Sequence, residues 1–321
     1  MTYQVFHRIV LIGLIFLLPQ ADAAEQCPPT SGVAVQVLGS GGPIADDPRA
    51  SSGYLVWVDG RSRVLIDAGG GTFVRFAEAS AQFADLDFVG LSHLHVDHST
   101  DLAALLKSGY FSKRSRELRL AGPTGSDRFP GLQAFLDRLL DENEGAYRYL
   151  SGYLNDDEDL PQLHVTEISE STVRTVHDDR VSGIRVDAMR VPHGIVPALA
   201  FRVQVDDTVI VFGGDQNGTN SDFPAFASEA DLLLMHMPVP ENASAAARQL
   251  HAPPSKIADI AGRAHPRSLL LSHFMARSLR TLDENLNIIR RGYSGPVIVA
   301  EDFQGRPCIH GPATVGRAGR P

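Results

Sequence analysis

Hydrophobic positions fall in short runs set off by turn residues, and the runs alternate in type along the chain. Val33 to Leu38 reads as a strand running into the loop Gly39-Ser40-Gly41-Gly42-Pro43. Tyr54 to Val58 and Arg63 to Ile66 flank Asp59-Gly60, a hairpin signal, because the turn needs residues that tolerate positive φ. Thr72 to Phe83 and Ser99 to Lys107 suit helices, with the buried strand Phe88 to Leu91 between them. Further on, Ile184 to Val191, Leu199 to Val205 and Thr208 to Phe212 read as strands, the last two joined at Asp206-Asp207. The pattern closes with helix Ser255 to Ala264, strand Leu269 to Leu271, helix Leu279 to Arg291 and strand Val297 to Ala300. Such alternation predicts an α/β layered fold.

The stretch from Phe129 to Pro161 breaks the pattern. It joins a predicted helix, Leu132 to Leu140, to Tyr147, Tyr149, Tyr153 and the acidic run Asn155-Asp156-Asp157-Glu158-Asp159. It reads equally as an insertion or lid over a cleft and as an exposed acidic loop with surface tyrosines.

Composition narrows the function classes. The 321 residues allow one large or two smaller domains, and 43% hydrophobic content supports a substantial core. A net charge of −9 argues against a broad nucleic-acid surface, which needs clustered Lys and Arg. Residues 1–23 have the form of an export signal: Arg8, the apolar run Ile9 to Leu18, then Ala21-Asp22-Ala23. The run is too short for a stable membrane span, although an uncleaved N-terminal anchor is the other reading. A periplasmic or secreted chain of residues 24–321 follows. Only Cys27 and Cys308 are present, and export would favour a disulfide between them over two unrelated thiols.

Candidate chemistry centres on His93-Leu94-His95-Val96-Asp97-His98, directly after the Phe88 run. Alternation would put His93, His95 and Asp97 on one side of extended backbone, with His98 opening a helix. Imidazole and carboxylate are ligand types of catalytic zinc, and one such cluster could serve two adjacent metals. Three more residues share one grammar, a polar ligand just after an apolar strand: His193, Asp215 and His273. Each alone reads as a capping or surface residue; together with the first cluster they point to a metal site.

With Leu38 to Gly42, Leu65-Ile66-Asp67-Ala68-Gly69, Val191-Pro192-His193-Gly194, Gly213-Gly214-Asp215 and Leu271-Ser272-His273-Phe274, the chain resembles the metallo-β-lactamase superfamily. The nearer resemblance is to its ribonuclease Z and arylsulfatase-like branch. The resemblance implies a four-layer αββα sandwich holding two Zn²⁺, other divalent metals being possible. His93, His95 and His193 would hold the first ion, Asp97, His98 and His273 the second, and Asp215 would bridge them. Asp67 looks like the residue that orients a ligand from behind; it also suits a turn before Gly69-Gly70-Gly71. A bridging hydroxide would attack, with no Ser or Cys nucleophile. His251 resembles the His before the penultimate helix of ribonuclease Z-like enzymes and is the candidate proton donor, counted with Asp97 among the catalytic residues. His236 either lines the site or packs beside Leu232 to Met235.

Two departures bear on substrate. Ribonuclease Z carries a Glu after the strand matching Leu232 to Met235, where this chain has His236-Met237. The transfer-RNA enzymes insert a binding arm between the residues matching His193 and Asp215; here Gly194 to Gly214 leaves room only for a hairpin. The expected function is hydrolysis of a small-molecule ester, a phosphodiester or sulfate ester, with lactones and β-lactams as alternatives. A homodimer is an open possibility. A degenerate, non-enzymatic binding fold would have lost ligands, and all seven are present here.

Overall fold

A strand that is apolar on both faces must lie between two covering layers, and most strands here are of that kind. In the computed structural model, which describes residues 31–155, 160–169, 172–302 and 309–310, they form two face-to-face sheets. The first is built from β1 (Val33–Gly39), β2 (Gly53–Val58), β3 (Arg61–Ile66), β4 (Phe88–Gly90), β5 (Leu118–Pro123) and β6 (Leu163–Ile168). The second holds β7 (Arg174–Asp179), β8 (Ile184–His193), β9 (Val196–Val205), β10 (Thr208–Phe212), β11 (Leu232–His236), β12 (Ser268–Ser272) and β13 (Val297–Val299). A short β14 (Ile309–His310) pairs antiparallel with the outer side of β1.

Side-chain alternation divides the burial. On β2, Tyr54 and Val56 enter the core between the sheets, while Leu55 and Trp57 face a separate cluster under helices. That outer cluster is closed by α1 (Thr72–Glu78), α3 (Leu102–Tyr110) and α4 (Leu132–Leu140), through Phe76, Leu105, Leu106, Leu136 and Leu140. A short α2 (Val96–Ser99) precedes α3. The second sheet is covered by α5 (Phe223–Phe226), α7 (Pro254–Ala264) and α9 (Leu282–Gly292), through Phe223, Ile257, Ile260 and Ile289. Short α6 (Ala245–Leu250) and α8 (Ala276–Leu279) complete the connections. The result is the expected four-layer αββα order.

Each sheet changes from antiparallel to parallel partway across. Pairs β3/β4, β4/β5 and β5/β6 are parallel in the first, and β10/β11, β11/β12 and β12/β13 in the second. The C-terminal ends of β3, β4, β10, β11 and β12 therefore gather at one edge of the sandwich, the edge where open α/β sheets place their ligands.

Several local expectations shift. The predicted helix 72–83 stops at Glu78, because Ser80 takes φ 58° and turns the chain. The 99–107 helix begins later, at Leu102. The described part of segment 129–161 contributes to the helical layer. Leu132, Leu136, Leu140, Leu150 and Tyr153 are fully buried, and the Tyr153 hydroxyl donates to the Leu106 carbonyl. Phe129, at its start, lies 6.3 Å (ring to ring) from His95. Tyr147 and Tyr149 are exposed, and the acidic run from Asp156 to Asp159 lies outside the described residues. So do residues 1–30 and both cysteines. Among the described residues no helix is long and apolar enough to cross a membrane.

Candidate metal centre

The site is assembled from strand ends. The loop after β4 delivers His93 and His95, but the backbone then turns into α2, so Asp97 and His98 sit on one helical turn instead of continuing the expected extended alternation. His193 ends β8, Asp215 follows β10 after the positive-φ Gly214, and His273 follows β12. His273 itself has φ 57° and Asp67 has φ 61°, conformations that non-glycine residues hold only where the surroundings dictate them.

Asp215 is the hub. Its Oδ2 lies 3.8 Å from His93 Nε2, 3.8 Å from His98 Nε2, 3.6 Å from His193 Nε2 and 3.6 Å from His251 Nδ1. Its Oδ1 accepts from His236 Nδ1 at 2.7 Å and lies 3.5 Å from His273 Nε2. On one side, His93 Nε2 is 2.9 Å from His95 Nδ1, and His193 closes a three-histidine group. On the other, His273 Nε2 is 3.1 Å from Asp97 Oδ2 and 3.1 Å from His98 Nε2. All seven sequence-predicted ligands are thus brought together around one point, all buried except the half-buried His95.

The surroundings fix which ring nitrogen faces inward. Asp67 Oδ2 accepts from His98 Nδ1 at 2.8 Å, and the Leu250 carbonyl accepts from His193 Nδ1 at 2.8 Å, so each ring turns its Nε2 lone pair to the centre. Asp67 is itself held by Ser92, whose backbone N–H donates to Oδ1 at 2.7 Å and whose hydroxyl donates to Oδ2 at 2.9 Å. Asp67 therefore does more than shape a turn. Its buried carboxylate orients His98.

Electrostatics agree. Burial disfavours charge on His98, yet Asp67, Asp215 and Asp97 outweigh it and lift its pKa to about 9. Burial likewise opposes ionisation of Asp215, but His273, His251, His236 and His98 hold it well below the usual carboxylate range. Against the same opposition, His273 and His98 bring Asp97 down to about 2. Burial, reinforced by neighbouring imidazoles, pushes His93 well below its ordinary value. A field that keeps two carboxylates ionised in a buried pocket favours a cation there. The donor set fits divalent metal on a second count: His98 Nε2 and His273 Nε2 face each other at hydrogen-bond distance, and His193 Nε2 has no hydrogen-bonding partner. Lone pairs so placed repel unless a proton or metal ion lies between them.

His251 stands at the margin, after α6, with its Nδ1 unpartnered. Burial and adjacent imidazoles lower it to about 3. His236 belongs to the site: it stacks on His273 at 4.7 Å between ring centroids and bonds to Asp215. It ends a strand lying between those that precede Asp215 and His273, with His236 directly opposite Ser272, so the strand-end grammar that found those two also applies to it. Tyr54, whose hydroxyl meets His236 Nε2, was not signalled by its sequence context because it comes from the other sheet.

The sandwich and its histidine-rich edge define a metallo-β-lactamase fold. Residues 62–274 match the family described as the beta-lactamase superfamily domain, and the chain belongs to it. The ribonuclease Z of Mycobacterium marinum is 29% identical over 187 residues, 57% of this chain and 63% of that protein. The chain thus spans about three-fifths of the length of the first curated relatives it matches. The ribonuclease Z of Haloferax volcanii is 27% identical over 305 residues, 83% of this chain and 92% of that protein. Among solved structures, the short form of human tRNase Z superposes with a TM-score of 0.65 at 23% identity, covering 87% of this chain and 99% of that one.

Proposed function

We propose that this protein is a binuclear metal-dependent hydrolase of phosphodiesters, exported by the signal at residues 1–23. The carrying observation is the convergence of imidazole and carboxylate atoms on Asp215, with His98 and His193 locked by their outer hydrogen bonds so that Nε2 faces inward. His93, His95 and His193 would hold one ion, Asp97, His98 and His273 the other, and Asp215 would serve both. Imidazole and carboxylate without thiolate suit zinc. Bound there, the ions supply Lewis acidity that makes water nucleophilic near neutral pH and stabilises developing negative charge. The chain's residues do the rest: Asp67 and the Leu250 carbonyl hold ring orientation, and His251 is placed to hand a proton to the leaving oxygen.

Kinship with proteins named for ribonuclease activity favours a phosphodiester over a sulfate ester, lactone or β-lactam. It also returns RNA to the substrates worth testing. The net charge of −9 and the use of residues 194–214 for the β9–β10 hairpin favour a small diester over a folded RNA. The test is hydrolysis by zinc-loaded protein of an aryl phosphodiester, an aryl sulfate, a lactone, a β-lactam and a 3′-extended transfer RNA, with metal counted in parallel. About two metals per chain and fastest turnover of the aryl diester are expected, and Asp215→Ala should lose both. Two bound metals without diester hydrolysis, or full activity in Asp215→Ala, would reject the reading.

A further inference from the structure

A bridging carboxylate has two oxygens, and something must decide how they are turned. In this site the two oxygens of Asp215 are treated differently. Oδ2 faces His93, His98, His193 and His251, whereas Oδ1 accepts from His236 Nδ1 at 2.7 Å and lies 3.5 Å from His273 Nε2. A carboxylate only accepts, so Nδ1 carries the proton of that bond. The other ring nitrogen, Nε2, then receives the Tyr54 hydroxyl at 3.0 Å, and the same hydroxyl lies 2.9 Å from Ser272 Oγ. Tyr54 belongs to β2 of the first sheet and His236 and Ser272 to adjacent strands of the second, so the chain spans the gap between the sheets. Tyr54 is 1% exposed, Ser272 0% and His236 3%, which leaves no water to replace any member.

We propose that His236, braced by Tyr54, is a positioning residue that ties down Oδ1 of Asp215 and so fixes how this carboxylate is turned toward the two ligand sets. The inference rests on the binuclear reading above and assigns a purpose to His236, which lies outside both proposed ligand sets. A ring is suited to it: rigid, stacked on His273, and able to relay one bond from the carboxylate to the sheet opposite. Tyr54 holds the ring's tilt through a bond that crosses the core, so the first sheet contributes to a carboxylate mounted on the second. Outer partners of this kind commonly change metal affinity by about 10–100-fold.

The experiment measures metal dissociation constants by competition with a chromophoric chelator, alongside melting of the metal-free and zinc-loaded forms. His236→Leu removes the donor, His236→Asn keeps an N–H near the Nδ1 position, and Tyr54→Phe removes only the brace. Expected are a roughly 10–100-fold weaker second metal in His236→Leu, recovery of most of that loss in His236→Asn, and an intermediate value in Tyr54→Phe with unchanged metal-free melting. Wild-type affinity in a folded His236→Leu protein would overturn the inference. So would His236→Asn as weak as His236→Leu, since His236 would then be a ligand or a packing residue. Should His236→Leu not fold, near-native binding by His236→Asn with weakened binding by Tyr54→Phe supports the positioning role, and the reverse order overturns it. Failure of the wild type to take up two metals would instead refute the binuclear centre.

Discussion

His251 separates two chemical roles that the same residue type can play. Its ring lies 5.2 Å from His193 and 5.8 Å from His273, and its Nδ1 is 3.6 Å from Asp215 Oδ2, near enough to form a potential metal-holding group with His193 and Asp215. Unlike His98 and His193, whose Nδ1 atoms donate to Asp67 and the Leu250 carbonyl, its Nδ1 has no hydrogen-bonding partner among the described residues. Burial keeps it neutral in the metal-free site, and an anionic diester bound alongside would favour the protonated ring. Replacing His251 with Ala should keep both metals and slow turnover by roughly 10²–10⁴-fold. Parallel kinetics on substrates of graded leaving-group basicity check the role: poor leaving groups should suffer most. A uniform loss, or loss of a metal, would make His251 structural or a ligand.

At the level of elements, the loop after β3 and the helix α2 act as one piece. The Ala68 N–H donates to the His98 carbonyl at 2.8 Å, and the Asp101 N–H donates to the Ala68 carbonyl at 2.9 Å. Gly69 lies so close that an added Cβ would overlap the Asp97 carbonyl, a backbone atom that cannot swing aside. Gly69→Ala should therefore push α2 outward with Asp97 and His98 and weaken metal binding by at least about tenfold. Calorimetric zinc titration measures this, and an unchanged affinity would show that the loop and helix move independently. The HxHxDH motif was readable from the sequence, but this contact was not. Alternation suggested extended backbone through Asp97, whereas hydrogen bonding to a loop far back in sequence supports a helical turn there. In the stretch 129–161 the helix Leu132–Leu140 was likewise readable from its apolar stripe, Leu132, Leu136 and Leu140, but not the surface that the stripe covers.

For the whole molecule, the compartment decides how the mature chain is stabilised. The proposed export predicts an N-terminus near Ala24 and a bridge between Cys27 and Cys308, tying the start of the mature chain to its end. N-terminal sequencing and thiol counting on protein recovered from the native host should find the cleaved chain with no free thiol. An intact Met1 with two reactive thiols would reject this reading.

The sequence by itself determined the layered α/β class, most strand positions and the seven candidate ligand positions, because apolar periodicity, turn chemistry and a dense histidine motif are local signals, and the resemblance already implied a bridging Asp215 and an orienting Asp67. Only the tertiary structure decided that the ring Asp67 holds is that of His98, that His236 bonds to Asp215, and that Tyr54 reaches His236 across 182 positions of chain. These relations depend on which strand ends meet at one edge of the sandwich and on how two sheets pack face to face. No run of neighbouring residues encodes that pairing; it is set by the burial of both sheets' inner faces against each other.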